Sequence, residues 1–350
     1  MFIAIRDLRF ARGRFALLGG VIALMTLMVV LLSGLTAGLG AASVSAVEAL
    51  PVDAVALQEP AEGQGPSFAT SALSSETAAG FDGASGVESA HPIGVATTRI
   101  GGQAGAAAVA LIGTDAALYP PIERGRTPGD GEVAVTADLA AEERLAVGDG
   151  VSIAGVQLEV AGITEETSFN HLPVVYTDLG TWRDATGIEE VTAVGLTGGD
   201  IAAVAGTVVV SRTEAFDAVG GYASEQGSLN LMRGLLLGIS ALIVGAFFTV
   251  WTMQRTPDLA VVRAMGASSG YLLRDALAQA GIVLVLGAAV GGAAAAGLGA
   301  LAASSMPFVL NAATFLAPIG AMVAVGAVGA AVSVRRITAV DPVTALGAAR

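Results

Sequence analysis

Chemistry in this sequence is concentrated at a few polar positions inside long apolar runs. Glu48 ends a small-residue face formed by Gly34, Gly38, Ala41 and Ser45, at alternating four- and three-residue spacing. Asn230 shares a second such face with Gly227, Gly234, Gly238, Ala241 and Gly245, and Met232 and Arg233 lie beside it, just inside an apolar block. A guanidinium there is costly unless it snorkels to headgroups or meets an anion. Small residues at helical spacing let backbones approach closely in lipid. The two segments are therefore expected to pack on each other or on a second copy. Glu48 and Asn230 would then lie near the outer end of that contact, although a solvated stalk carboxylate also accounts for Glu48.

Several other chemistries are excluded by residue type. The chain has no lysine, so a phosphate-binding loop of the G-x-x-x-x-G-K-[ST] kind cannot form and ATP cannot be hydrolysed that way. It has no cysteine, which removes disulfide and thiolate sites. Its two histidines, His91 and His171, are far apart in sequence and read as structural or surface residues rather than a metal pair. Gly266-Ala267-Ser268-Ser269-Gly270 matches G-x-S-x-G. A nucleophile elbow needs a strand before the serine, whereas a helical pattern precedes Ser268.

The elements that must position these residues are membrane helices. Hydrophobic residues make up 54% of the 350 residues and charged residues only 13%, too apolar for an ordinary soluble domain. A span needs about 20 apolar residues. Four segments qualify: residues 15–40, 231–253, 276–303 and 314–334. The first apolar run, Phe15–Leu39, exceeds the roughly 7–15 residues of a signal-peptide core and is read as an uncleaved span. Ten arginines fall in residues 1–14, 254–275 and 335–350, against Asp7, Asp258, Asp275 and Asp341. The positive-inside rule places those segments, and both termini, in the cytoplasm. The other 26 of the 30 acidic residues lie in residues 41–230, read as an extracytoplasmic domain. An acidic surface argues against a nucleic-acid partner. The domain reads as α+β with a small mixed sheet, strands being expected at 107–112, 132–136, 151–153, 157–163, 174–177 and 207–211. Residues 1–14 pattern as an amphipathic helix on the inner leaflet, residues 304–313 as a short outer loop, and residues 335–350 as a basic tail. The bias to Ala, Gly, Val and Arg points to a high-GC bacterium and its plasma membrane.

Residues 254–275, "QRTPDLAVVRAMGASSGYLLRD", are too polar to span. Thr256 suits an N-cap, Pro257 the first helical position and Gly266 the stop. A separate helix over Pro257–Met265, about 13 Å long, is expected, with Leu259, Val262 and Met265 on its apolar side. This segment resembles the coupling segment of MacB/FtsX-type ABC transporter permeases. "RRITAVDPVTA" (335–345) is similar to that family's basic tail. "GTDAALYPPIERGR", "DGEVAVT", "LAVGDGVSIAG" and "LEVAGI" resemble its extracytoplasmic domain, and the layout of four spans with one large domain after the first also agrees. The resemblance implies a permease without an ATPase site or cofactor of its own. It also implies a homodimer in lipid, served by two separate ABC ATPase chains that carry ATP and Mg. Arg255, Leu259, Val262, Arg263 and Met265 would form the coupling surface.

"RDLRFARGRFALLGG", "LLSGLTAGL" and "SAVEALP" also resemble the haem-exporting branch of that family, which implies haem as the transported substrate. Ferric haem is a flat apolar plate with a Lewis-acidic iron and two propionates, and its site needs oxygen, nitrogen or sulfur ligands and a cation. On this resemblance Glu48 is the candidate haem-iron ligand, and Asn230, Met232 and Arg233 complete the site, Arg233 on a propionate. Two other functions stay open: a mechanotransmitting regulator of a cell-wall hydrolase, and an exporter of a peptide or lipid-like molecule.

Overall fold

The computed structural model describes residues 12–102, 105–303 and 306–335. Most of the expected N-terminal amphipathic helix and nearly all of the basic tail lie outside these residues. The chain divides into two compact units, Leu39–Gly227 and Met1–Gly38 with Ser228–Arg350.

Helix α1 (Arg12–Glu48) begins in one unit and ends in the other. The Leu39–Gly227 unit is a mixed α/β domain. Its eleven strands are β1 (Ala54–Gln58), β2 (Val87–Gly101), β3 (Ala106–Gly113), β4 (Ile122–Gly125), β5 (Glu132–Thr136), β6 (Gly150–Ile153), β7 (Val156–Thr164), β8 (Ser168–Phe169), β9 (Leu172–Thr177), β10 (Ala193–Gly198) and β11 (Thr207–Ser211). They run in the order β11-β1-β10-β2-β3-β9-β5-β7-β4, with β6 joined to β2 and β7 and β8 joined to β9. The β3–β9 and β5–β7 pairs are parallel. The sheet is larger than the small one expected, chiefly because β1, β2 and β10 carry weak strand signals. Strand β2 contains Pro92, a residue confined to edges and bulges in sheets. Residues 87–93 pair only with β10, and β3 joins from Gly94 onward, so Pro92 sits where one side of the strand is unpaired.

Short helices α2 (Ser75–Ala79), α3 (Ala137–Glu143) and α4 (Leu179–Thr186) flank the sheet. Helix α3 stops at Arg144, which takes the left-handed conformation (φ 55°). Asp178 caps α4 by accepting from the Thr181 amide at 3.0 Å. That helix delivers Trp182, fully buried, onto Gly94 and Gly113, where no side chain would fit: a Cβ at Gly113 would lie 2.2 Å from the Trp182 Cβ. One core gathers Val55, Leu57, Ile93 and Tyr176 with Val44 and Val47 of α1. A second gathers Ile100, Leu111, Val133, Val160 and Trp182.

The other unit is helical. With the first part of α1 it contains α5 (Tyr222–Ala264) from Ser228 onward, α6 (Ser269–Ala302) and α7 (Ala312–Arg335). Among the described residues, four helices are long and apolar enough to cross a membrane, over Phe15–Glu48, Tyr222–Gln254, Leu273–Ala302 and Ala312–Ser333. Their small residues set the packing. Gly287 and Gly291 of α6 lie against Gly19, Ile22 and Ala23 of α1. Gly329 of α7 faces Ala241 and Gly245 of α5, and the Ser333 hydroxyl is 2.8 Å from the Gly245 carbonyl. Phe15 meets Trp251 edge-on at 5.8 Å, which joins α1 to α5.

Candidate substrate surface and coupling end

The Gly34–Gly38 face of α1 has a neighbour other than α5. Gly34 and Gly38 are covered by the loop before α7: a Cβ at Gly38 would lie 2.1 Å from the Pro307 carbonyl oxygen, and one at Gly34 2.3 Å from the Phe308 ring. The Val309 amide donates to the Gly34 carbonyl at 3.1 Å. That face of α1 therefore receives a loop of its own chain rather than α5. Sequence spacing could not show this, since any close apolar group can fill a glycine notch. Gly227, Gly234 and Gly238 of α5 have no atom within 4 Å of a would-be Cβ among the described residues, and only Gly245 is used, against α7.

The N-terminal part of α5 presents an open surface. Leu231, Met232, Leu235, Ile239 and Leu242 are exposed. Arg233 is partly exposed, and its Nη2 donates to the Asn230 Oδ1 at 2.6 Å, one turn back. The amide holds the guanidinium to one side of the helix and leaves other N–H donors for an anion. Thus Asn230 and Arg233 form a pair and Met232 adjoins it. Glu48, the last residue of α1, is exposed and belongs to the Leu39–Gly227 unit.

At the other end of α5 the expected break is absent. The helix runs without interruption from Tyr222 to Ala264, through Thr256 and Pro257. Thr256 does not cap a separate helix, and the Pro257–Met265 segment is the continuation of the spanning helix. Proline removes one i→i−4 hydrogen bond and strains the turn before it, but spanning helices tolerate it where neighbours supply partners, and α7 likewise contains Pro318. Arg255, Leu259, Val262 and Arg263 lie on this extension, and Met265, just past its end, is exposed. Gly266 takes φ +100° and turns the chain. Ser268 then caps α6, accepting from the Tyr271 amide at 3.2 Å. The G-x-S-x-G match is thus a helix–turn–helix junction, and its serine serves as a cap.

The histidines are distributed as structural residues. The His91 Nδ1 is 2.8 Å from Asp115 Oδ2. His171 contacts Ser43 and Glu225. Among the described residues no three His, Asp or Glu side chains are grouped so as to hold a metal ion.

Comparison with known proteins bears on the same regions. Residues 230–342 match the FtsX-like permease C-terminal family. A Staphylococcus haemolyticus protein named as a hemin transport system permease, HrtB, is 26% identical over 99% of both chains. An uncharacterized ABC transporter permease of Mycobacterium bovis is also 26% identical over 99% of both. Among solved structures, the periplasmic region of MacB from Actinobacillus actinomycetemcomitans aligns with 49% of this chain and 95% of its own, at TM-score 0.38 and 10% identity. The extracellular domain of YknZ, from Gram-positive bacteria, aligns with 42% and 83%, at TM-score 0.35 and 15% identity.

Proposed function

Taking this chain as an ABC transporter permease of the FtsX-like type in a bacterial plasma membrane, we infer that it is the membrane subunit of an exporter of haem or a similar amphipathic anion. A separate ATPase drives it. The observation that carries this reading is the Asn230–Arg233 pair beside the exposed apolar surface of Leu231, Met232 and Leu235. An oriented guanidinium at the rim of an apolar face suits a flat hydrophobic body with carboxylates. The relatives named for hemin transport, similar along the whole chain, support the same substrate.

On this reading Arg233 pairs with a propionate, Asn230 orients Arg233, and Met232 packs on the macrocycle. Glu48 is a separate candidate oxygen ligand for the iron, since a carboxylate is a hard donor suited to ferric iron. The open face of α5, with Gly234 and Gly238 bare, is the surface on which a second copy closes. The cytoplasmic end of α5, from Arg255 to Met265, docks on one ATPase of a pair. Because that end is continuous with the spanning helix, a push on it travels along α5 without crossing a joint. Both termini are assigned to the cytoplasm by the arginine distribution.

The test is an absorbance titration of hemin into the permease–ATPase complex in nanodiscs. A Soret shift that weakens about tenfold in Arg233→Ala and changes position in Glu48→Ala is expected. Binding unaffected by either substitution would overturn the site, and no binding at all would favour the regulator of a cell-wall hydrolase or a different cargo.

A further inference from the structure

We propose that the β8–β9 hairpin is a clamp that holds the end of α1 and the start of α5 together, with His171 as its bridging residue. The sequence marks the place. Phe169 pairs with Leu172, so Asn170 and His171 form a two-residue turn. Both take positive φ, 50° and 62°. Such a turn requires left-handed backbone at both central residues and favours Asn-Gly. Glycine accounts for 47 of the 350 residues, yet histidine occupies the position glycine suits. A side chain held in an unfavourable backbone region points to a use for that side chain.

The contacts show the use. The Asn170 amide donates to the Ser43 carbonyl at 2.8 Å and the His171 amide to the Ala42 carbonyl at 2.9 Å. These carbonyls belong to α1, and each has a second lone pair beyond its place in the helix. The Ser168 amide donates to the Ser45 hydroxyl at 2.8 Å. Three backbone N–H groups of one hairpin thus seat on one turn of α1.

The imidazole reaches further. Its Nε2 is 3.1 Å from the Ser43 hydroxyl and 3.3 Å from Glu225 Oε2 on α5. The Ser43 hydroxyl already donates its proton to the Leu39 carbonyl at 3.0 Å. Ser43 then accepts from Nε2, and the Glu225 carboxylate lies beside the same nitrogen. One imidazole nitrogen thus stands between a hydroxyl of α1 and a carboxylate of α5. All of these residues lie within the Leu39–Gly227 unit. In a permease working as proposed above, the clamp would keep the two helices in step as they enter the outer domain. That consequence rests on the exporter reading, whereas the clamp itself does not.

Hydrogen–deuterium exchange of the full chain in nanodiscs tests it. His171→Gly keeps a residue that favours φ +62° and removes the imidazole. It is expected to speed exchange at residues 222–226 about tenfold while leaving the cores of the outer domain unchanged. The cysteine-free background permits a second arm. A Ser45→Cys, Ser168→Cys pair, oxidised in the His171→Gly chain, should keep residues 169–171 protected on the α1 side. It should not restore protection at residues 222–226, because the link to Glu225 is still missing. If His171→Gly proves unstable, Glu225→Gln reads the α5 link alone, with the same expected acceleration. Unchanged exchange at 222–226 in His171→Gly and in Glu225→Gln overturns the clamp. So does recovery of those residues by the disulfide alone. None of these readings uses haem, so a failed hemin titration and a failed clamp are distinguishable.

Discussion

Gly291→Ala tests whether the helix packing is as close as the glycine spacing demands. The added Cβ would lie 2.1 Å from the Ala23 carbonyl oxygen and 2.9 Å from that residue's carbonyl carbon and Cα. Real Cβ contacts essentially never fall below 3.0 Å, so α6 and α1 must part by about 0.9 Å. The obstacle is backbone, which cannot rotate away as a side chain end can. Gly287, one turn before, is similarly tight, 2.9 Å from the Gly19 carbonyl oxygen and from Ile22 Cγ2. The whole seam therefore opens rather than one point. A radial gap of about 0.5–1 Å forfeits a quarter to a half of each dispersion contact, and overpacking of this kind costs about 1–3 kcal/mol. With a midpoint shift of roughly 2–4 °C per kcal/mol for a domain of 150–250 residues, thermal unfolding of the nanodisc-embedded chain should fall by several degrees. Gly297→Ala, on the same helix, meets no atom of the described residues within 4 Å. There, alanine's better helix propensity, worth about 1 kcal/mol, should leave stability level or slightly higher. The seam assignment is refuted if the two variants melt together, or if Gly291→Ala melts with the parent.

Two further outcomes are expected in the Leu39–Gly227 unit. Trp182→Ala empties the site above Gly94 and Gly113 and loses the indole N–H donated to the Leu111 carbonyl at 3.3 Å. It should cost about 3–5 kcal/mol by denaturant titration, and a loss under 1 kcal/mol would show that this packing is dispensable. The Arg126 guanidinium, followed by the Gly129 amide, holds the Glu132 carboxyl down at about 2, below its ordinary 4.5. A depressed carboxylate stabilises the fold above its unfolded pKa, and that contribution is lost as pH falls from about 4.5 toward 2. The melting difference between the parent and Glu132→Gln should therefore be constant near neutrality and shrink through that window. A difference that stays constant down to pH 3 would count against the pairing.

What the sequence alone determined rests on local physics. The four spans follow from runs of about 20 apolar residues, because length and hydropathy suffice to place a helix in lipid. The stop at Gly266 follows from a single-residue backbone preference. Strands with alternating or β-branched patterns, such as Glu132–Thr136 and Thr207–Ser211, were legible for the same reason. Other features depended on partners remote in sequence. Gly34 and Gly38 advertise a close neighbour but not its identity, and the neighbour is the Pro307–Phe308 loop. Thr256-Pro257 has the form of a helix start, yet the chain continues as one helix, since local capping cannot outweigh the cooperativity of a helix already running. His171 carried no signal beyond its type. Only the tertiary structure brings it to Ser43, 128 residues away, and to Glu225 on a different helix. Hydrophobic patterning decides which segments enter the bilayer, but which polar groups then meet is decided by packing, through contacts that no spacing along the chain encodes.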